Sequence, residues 1–562
     1  MDDADSRTQH DRRLLQDARA KGTLAKFGAY TRLSGPGWLQ SAITLGGGSL
    51  ANGLYLGIFA GVGLMWVQPL AMALGVVMLA AIAYVTTTTG ERPFRAINQH
   101  VNPVLGWSWL LASQAANMVW CLPQYSLATG VLQQNLLPDV VGPESTLGDT
   151  GGKLVIVLSV LVLTTIVTWA YNSGARGVKV YETLLKTVVA MIVLCFFGVV
   201  FALRQELPWG KIAAGFIPDV SRLFRPSDGF APLLAAVPDA YRAFWNSAIV
   251  REQQQVLIGA TATAVGINMT FLFPYSLLAK KWGKEFRGLV IFDLATGMLI
   301  PFVLVTSCVV IAAANQFHPK PGEDNGSAEL SLSAEGAAEW VDRRAAYRAE
   351  QTGGAVGREP LTDAERDLAA HLVRRDAFEL ARSLAPFTGK RIANFVFGIG
   401  VLGMTLSTIT ILMLISGFCV CEMLDLPARG WPFRLGCLAA ATGMLGPFVW
   451  ADQARFWLAV PTSVFGMMLL PIAYWSFLLL MNQRSLLRDE LPRGTRRLVW
   501  NGLMIVAAGA ATYLCLHAIM ISPLGPDGPY PVGLPIFGGL IVLAVIVHFA
   551  RGARSGANSS HR

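Results

Sequence analysis

Gly35-Pro36-Gly37-Trp38-Leu39-Gln40-Ser41-Ala42-Ile43-Thr44-Leu45-Gly46-Gly47-Gly48-Ser49-Leu50-Ala51-Asn52 decides how the rest of the chain is read. The stretch lies within the first long apolar segment, at mid-depth if that segment crosses a bilayer. Consecutive glycines are costly in a helix, at about 1 kcal/mol each relative to Ala. In hydrocarbon, every freed backbone N–H or C=O adds a further penalty unless protein or water satisfies it. A break at that depth therefore implies backbone that lines a cavity, and broken helices at the midplane mark the binding sites of secondary transporters. Close helix–helix approach is the competing explanation for small residues in a membrane. It calls for spaced glycines on one face, not a run.

Working outward, the chain is 562 residues long, 53% apolar and only 14% charged, where soluble domains carry about 25% charge. Apolar runs of about 20 residues recur throughout and read as membrane helices. They fall at 36–60, 65–88, 104–136, 153–171, 178–203, 256–281, 288–314, 391–423, 432–450, 456–482, 498–522 and 532–550. The expected fold is an all-α integral membrane protein with about twelve transmembrane helices. The net charge of +9 does not point to nucleic acid, because the basic residues sit in short loops on one side. Arg12, Arg92, Lys179, Lys281, Arg429, Arg493 and Arg554 all share that side if the spans alternate. The positive-inside rule then makes both termini cytoplasmic, in a bacterial inner membrane or an equivalent plasma membrane. Residues 1–34 are charged and lack an apolar core, so they read as a cytoplasmic segment and not a cleavable signal. The seven cysteines show no zinc-ligand spacing and no disulfide framework.

Two segments on the opposite side are long. A run from Pro232 to Gln254 reads as a helix lying on or folding back to the membrane surface, and residues 315–390 read as a partly helical, solvated extracytoplasmic insertion. The organisation is thus 1–34, 35–314 (spans 1–7), 315–390, 391–482 (spans 8–10) and 483–562 (spans 11–12 with a tail).

Span 6 carries Val256-Leu257-Ile258-Gly259-Ala260-Thr261 and then Ala264-Val265-Gly266-Ile267-Asn268-Met269-Thr270-Phe271-Leu272-Phe273-Pro274-Tyr275-Ser276. Pro274 removes a helical hydrogen bond and clashes with the preceding turn, which places a second interruption there. Span 6 comes five spans after span 1 and runs the other way. Two groups of five spans, each led by a broken helix, form a 5+5 inverted repeat, the leucine-transporter-like architecture. The two breaks are expected to meet and build one site from Gly46, Gly47, Gly48, Ser49, Thr270, Phe273, Tyr275 and Ser276.

These residues carry a resemblance. Gly35-Pro36-Gly37, the run to Gly48, Leu64-Met65-Trp66-Val67, Gly259-Ala260 with Gly266 and Phe273-Pro274-Tyr275, and Asp293 in span 7 resemble the natural resistance-associated macrophage protein (NRAMP) divalent-metal transporters. The resemblance implies a secondary transporter of metal cations. In that family the span 1 break reads Asp-Pro-Gly-Asn, matched here by Gly46, Gly47, Gly48 and Ser49. The span 6 break reads Met-Pro-His, matched by Phe273, Pro274 and Tyr275. The acidic residues that the family keeps in span 3 have no counterpart, since residues 104–136 hold no Asp, Glu or His.

The altered set offers a hydroxyl, a phenol and backbone carbonyls, which do not neutralise a dehydrated dication. It suits a hydrated ion, because Mg²⁺ keeps several waters, or a small neutral or anionic organic solute held at a half-helix N-terminus. A non-transporting receptor or scaffold is the third possibility. The metal ligands are not fixed by the sequence. No cofactor and no nucleic-acid partner is expected; the partners are a small solute or ion and the lipid bilayer. Of the intramembrane ionisable residues, Glu182 and Lys186 are spaced to pair with each other. Asp293 lies shallow in span 7, and His517 lies outside the ten-span core.

Overall fold

The computed structural model describes residues 2–171, 200–320, 337–352, 360–373, 390–449, 455–521 and 533–559, with positions 183, 187, 190, 194, 197 and 198. Every regular element among them is helical. Seven helices are long and apolar enough to cross a membrane, eight when the bent first span is counted.

Two helices precede the membrane domain, α1 (Asp2–Ala20) and α2 (Thr23–Leu33). Span 1 is the bent pair α3 (Pro36–Thr44) and α4 (Gly47–Ala60), which meet at 52°. Span 2 is α5 (Val67–Thr89), span 3 is α6 (Pro103–Val131) and span 4 is α7 (Gly148–Tyr171). The 29 residues of α6 include Gln114, Asn117 and Gln124, which dilute its apolar character below that of its neighbours. Most of the fifth expected span, with Glu182 and Lys186, lies outside the described residues.

Span 6 is α8 (Asp239–Ala264) followed by α9 (Ile267–Ala279). Span 7 contains α10 (Arg287–Leu294), a π-helical turn at Ala295–Leu299, and α11 (Ile300–Phe317). Further on come α12 (Ala337–Thr352), α13 (Asp363–His371), α14 (Lys390–Met423), α15 (Ala459–Met481), α16 (Gly494–Ile521) and α17 (Gly533–Ser559). The expected span at 432–450 is helical at each end with a 3₁₀ stretch, Leu438–Leu445, between.

The structure changes three expectations. The interruption in span 6 is at Val265-Gly266, where both residues are extended (φ −142°, ψ 105° and φ −81°, ψ 160°). Pro274 instead sits inside α9. A proline deletes one rung of the hydrogen-bond ladder, whereas two extended residues end the ladder. β-Branched Val265 favours that extended backbone.

Residues 239–254 do not form a separate surface helix. They are the outer part of α8, continuous with span 6.

The third change is in the 315–390 insertion, whose described helices dock on this outer part. Arg348 on α12 and Glu365 on α13 form a fully buried ion pair at 2.7 Å, and Glu365 also accepts from the Trp245 indole at 2.9 Å. Burial opposes the carboxylate charge, yet hydrogen bonds from Trp245, the Thr362 N–H and Arg348 outweigh it and hold Glu365 below its usual range. Glu252 on α8 pairs with Arg344.

The same end of the molecule closes the last turn of α4. Its carbonyls at Ile58 and Phe59 lack helical partners. They accept from His318 Nδ1 at 2.9 Å and Gln253 Nε2 at 2.8 Å.

Candidate functional site

The two breaks converge. Thr44, the last residue of α3, approaches the Ala264 carbonyl and the Met269 sulfur, each at 3.5 Å. The N–H of Gly266 donates to the same sulfur at 3.3 Å. Met269 therefore joins the end of one half-helix to the start of the other.

Around this junction lies a cavity of about 40 Å³, room for about three waters at roughly 10–15 Å³ each. Gly46, Gly48 and Ser49 line it from span 1, Thr263, Gly266 and Met269 from span 6, and Trp120 and Gln124 from α6. Thr408 on α14 and Thr462 and Ser463 on α15 complete the wall.

Each part follows from local sequence. Gly46 is extended (φ −92°, ψ 179°), and a Cβ there would overlap the Thr408 hydroxyl. The N–H of Gly47 donates to Gln124 Oε1 at 3.2 Å, and the Ser49 hydroxyl donates to the Thr44 carbonyl across the break. Backbone groups freed by the break thus find protein partners, as the membrane interior demands. Asn52, one turn further, donates to Gly48 O at 2.8 Å and to Ser463 Oγ at 3.0 Å, locking α4 to α15.

Trp120 forms one wall. Its indole donates to Thr462 O at 2.7 Å, and its ring fills the space where side chains at Gly266 and Gly466 would sit.

Of the residues expected at the site, Gly46, Gly48 and Ser49 line the cavity, and Gly47 reaches it through its contact with Gln124. The other four are not brought there. Thr270 accepts from the Trp109 indole at 2.8 Å. Phe273 is fully buried, and its carbonyl accepts from Ser276 at 2.6 Å. Tyr275 stacks between Phe271 and Phe418, with ring centroids 5.0 and 5.3 Å away. At 1.5 Å rise per residue, Tyr275 is about 13 Å along the axis from Gly266.

The alignment of the family motif with Phe273-Pro274-Tyr275 followed the proline. Sequence reasoning missed Met269, Thr263, Thr408, Thr462 and Ser463 as lining residues. The Val265-Gly266 pair ahead of Met269 was the available signal.

The donors are hydroxyls, a carboxamide, carbonyls and one thioether. Among the described residues, no group of three or more His, Cys, Asp or Glu is placed to hold a metal. Asp293 serves the fold, accepting from Ser34 Oγ and from the N–H groups of Gly35 and Gly37 at the start of α3. His517 lies on α16, and Tyr513 stacks on it.

A multi-pass helical membrane protein with a cavity between two interrupted helices is the class that this geometry defines. Residues 37–342 and 367–517 match the family described as natural resistance-associated macrophage protein-like, and the chain belongs to that family. No curated relative matches it in sequence. Its fold is similar to that of the Eremococcus coleocola manganese transporter bound to an aromatic bis-isothiourea compound, with TM-score 0.62 and 14% identity over 93% of this chain and 94% of that one. A glutamate-to-alanine mutant of the same transporter gives TM-score 0.62 at 13% identity, and a histidine-to-alanine mutant gives 0.61 at 13%. Each covers the same shares of the two chains.

Proposed function

We propose that this chain is a secondary transporter that moves a divalent metal ion through the cavity at the two breaks, with part of the ion's water shell retained. The carrying observation is the convergence of Thr44, Gly266 and Met269 on a cavity that has hydroxyl, amide and thioether donors and room for a few waters. A dehydrated dication needs anionic ligands to offset its desolvation. Here waters remain as ligands, and protein oxygens bind them from outside, as suits an ion that dehydrates reluctantly. The manganese transporter similar in fold and the family membership support a metal cation as cargo.

The small volume weighs against an organic solute, since small-molecule sites begin at about 300 Å³. A receptor or scaffold role is disfavoured because two costly interruptions are kept and aimed at one cavity.

The test is uptake of Mn²⁺ and Mg²⁺ by proteoliposomes containing the full chain. Saturable uptake, lost in Met269→Leu and Gly48→Leu, is expected. Among the described residues, no titratable group lines the cavity, so the rate should change less than about twofold between pH 6 and pH 8. Absence of uptake for both ions, or uptake indifferent to both substitutions, overturns the reading. Uptake driven only by an organic solute establishes the alternative.

A further inference from the structure

Beyond the cavity, the interior holds buried amide side chains that make few or no hydrogen bonds among the described residues. Gln40 is fully buried, and neither its Oε1 nor its Nε2 has a hydrogen-bond partner among the described residues. Gln114, only 9% exposed, is in the same condition. Asn268 donates to Asn117 at 3.1 Å, which leaves Asn117 Nδ2 and Asn268 Oδ1 without partners. Burying such a group unpaired is unfavourable, and a membrane interior offers no general relief.

Their placement is not scattered. On α6, Gln114 and Asn117 precede Gln124 by ten and seven residues, offsets that keep all three near one stripe of the helix. Gln124 is level with the break through its bond to Gly47. On α3, Gln40 precedes Thr44 by one turn and shares the face that meets Met269. Asn268 is in the first turn of α9. Three helices thus carry amides around the start of α9, on the side of the break where α3 and α6 begin. That is one to three turns beyond the cavity, a step of about 5–15 Å.

We infer that Gln40, Gln114, Asn117 and Asn268 form a second, inner station, through which a hydrated divalent cation passes after leaving the cavity. This deepens the transport reading and rests on it. Amide oxygens accept from the ion's coordinated waters, and amide N–H groups donate to waters beyond them. With no net charge, the station holds the ion weakly enough to release it, which conduction requires. A carboxylate in the same place would bind a dication tightly and slow its exit.

The test has two arms. In the first, Gln40→Cys and Gln114→Cys in the full chain are treated in proteoliposomes with a small cationic methanethiosulfonate reagent, with the parent as background. Reaction from the side bearing the N-terminus, slowed by millimolar Mn²⁺ or Mg²⁺, is the expected result. Unreactive thiols, or reaction that neither ion slows, overturn the station.

In the second arm, Gln114→Leu is compared with the parent. Calorimetric Mn²⁺ binding at the cavity should persist while flux falls about tenfold. A purely structural role predicts unchanged flux with equal or higher thermal stability, because no hydrogen bond is lost, and that outcome also overturns the proposal. If the parent moves neither ion, the transport reading fails by itself, and the thiol reaction still decides whether the station is wet and binds a cation.

Discussion

Asp293 accepts a hydrogen bond from the backbone N–H of Gly37 at 2.6 Å, and this contact ties span 7 to the first turn of span 1. Gly35 N–H and the Ser34 hydroxyl bind the same carboxylate. A helix N-terminus has unpaired N–H groups and a positive dipole end, so an anion there stabilises α3 in the orientation that brings Thr44 to Met269. Asp293→Leu would strand three donors and should cost about 3 kcal/mol. Asp293→Asn keeps an acceptor and should cost about 1 kcal/mol. Thermal unfolding of the two variants checks the order; equal losses would show that the retained acceptor contributes nothing and that the charge carries the whole effect.

Gly48 offers a clean way to fill the cavity. A Cβ there would stand 3.4 Å from Thr263 Cγ2 and 3.8 Å from Ser463 Oγ, which is ordinary contact. Gly48→Ala should therefore fold normally and reduce ion uptake, with Gly48→Leu abolishing it. Gly266→Ala differs, because its Cβ overlaps the Trp120 ring, and it should lower the melting temperature as well. Uptake assays beside melting curves separate the two effects.

The docked insertion depends on its buried ion pair. Arg348→Met leaves the Glu365 carboxylate buried without its cation and should destabilise the protein by roughly 3–5 kcal/mol. Adding Glu365→Leu should recover much of that loss, since a buried pair contributes less than either partner costs when left alone. A double-mutant cycle on urea unfolding measures the coupling; additive effects would contradict it.

His318 gives a pH signature. Burial, with a smaller push from His371, lowers its pKa to about 4 from 6.5. The Ile58 carbonyl can only accept, so Nδ1 carries the proton and Nε2 faces the Ser227 hydroxyl at 3.1 Å. A histidine with a depressed folded pKa binds fewer protons folded than unfolded, so its contribution is intact above about 6.5 and is lost as pH falls towards about 4. The melting temperature should drop between pH 7 and pH 5, and His318→Gln should flatten part of that slope. An unaltered slope would place the dependence elsewhere.

Orientation can be read directly. Ala346 on α12 and Asp489, between α15 and α16, are both exposed, and the six described native cysteines are buried. Ala346→Cys should be labelled by an impermeant thiol reagent on intact cells, and Asp489→Cys only after permeabilisation. The reverse result would invert the topology drawn from the one-sided Lys and Arg.

The sequence determined the features whose causes are local. Apolar runs require a bilayer whatever surrounds them, and the break at Leu45-Gly46 is written in Gly46-Gly47-Gly48, because consecutive glycines weaken a helix without help from neighbours. Tertiary structure decided the rest. In span 6, the local signal is Pro274, yet the break sits at Val265-Gly266, where Thr44 and Trp120 close on the freed backbone. The thioether at the site is Met269 and not a residue beside Pro274, because which face of a half-helix meets the opposite break depends on how the two spans cross. Arg348 and Glu365 read as ordinary charges of a solvated loop until Trp245, far away in sequence, desolvates and binds the pair. Periodicity along one helix carries no information on which distant helix supplies the other half of a contact, so a cavity shared by five spans was decided only by their packing.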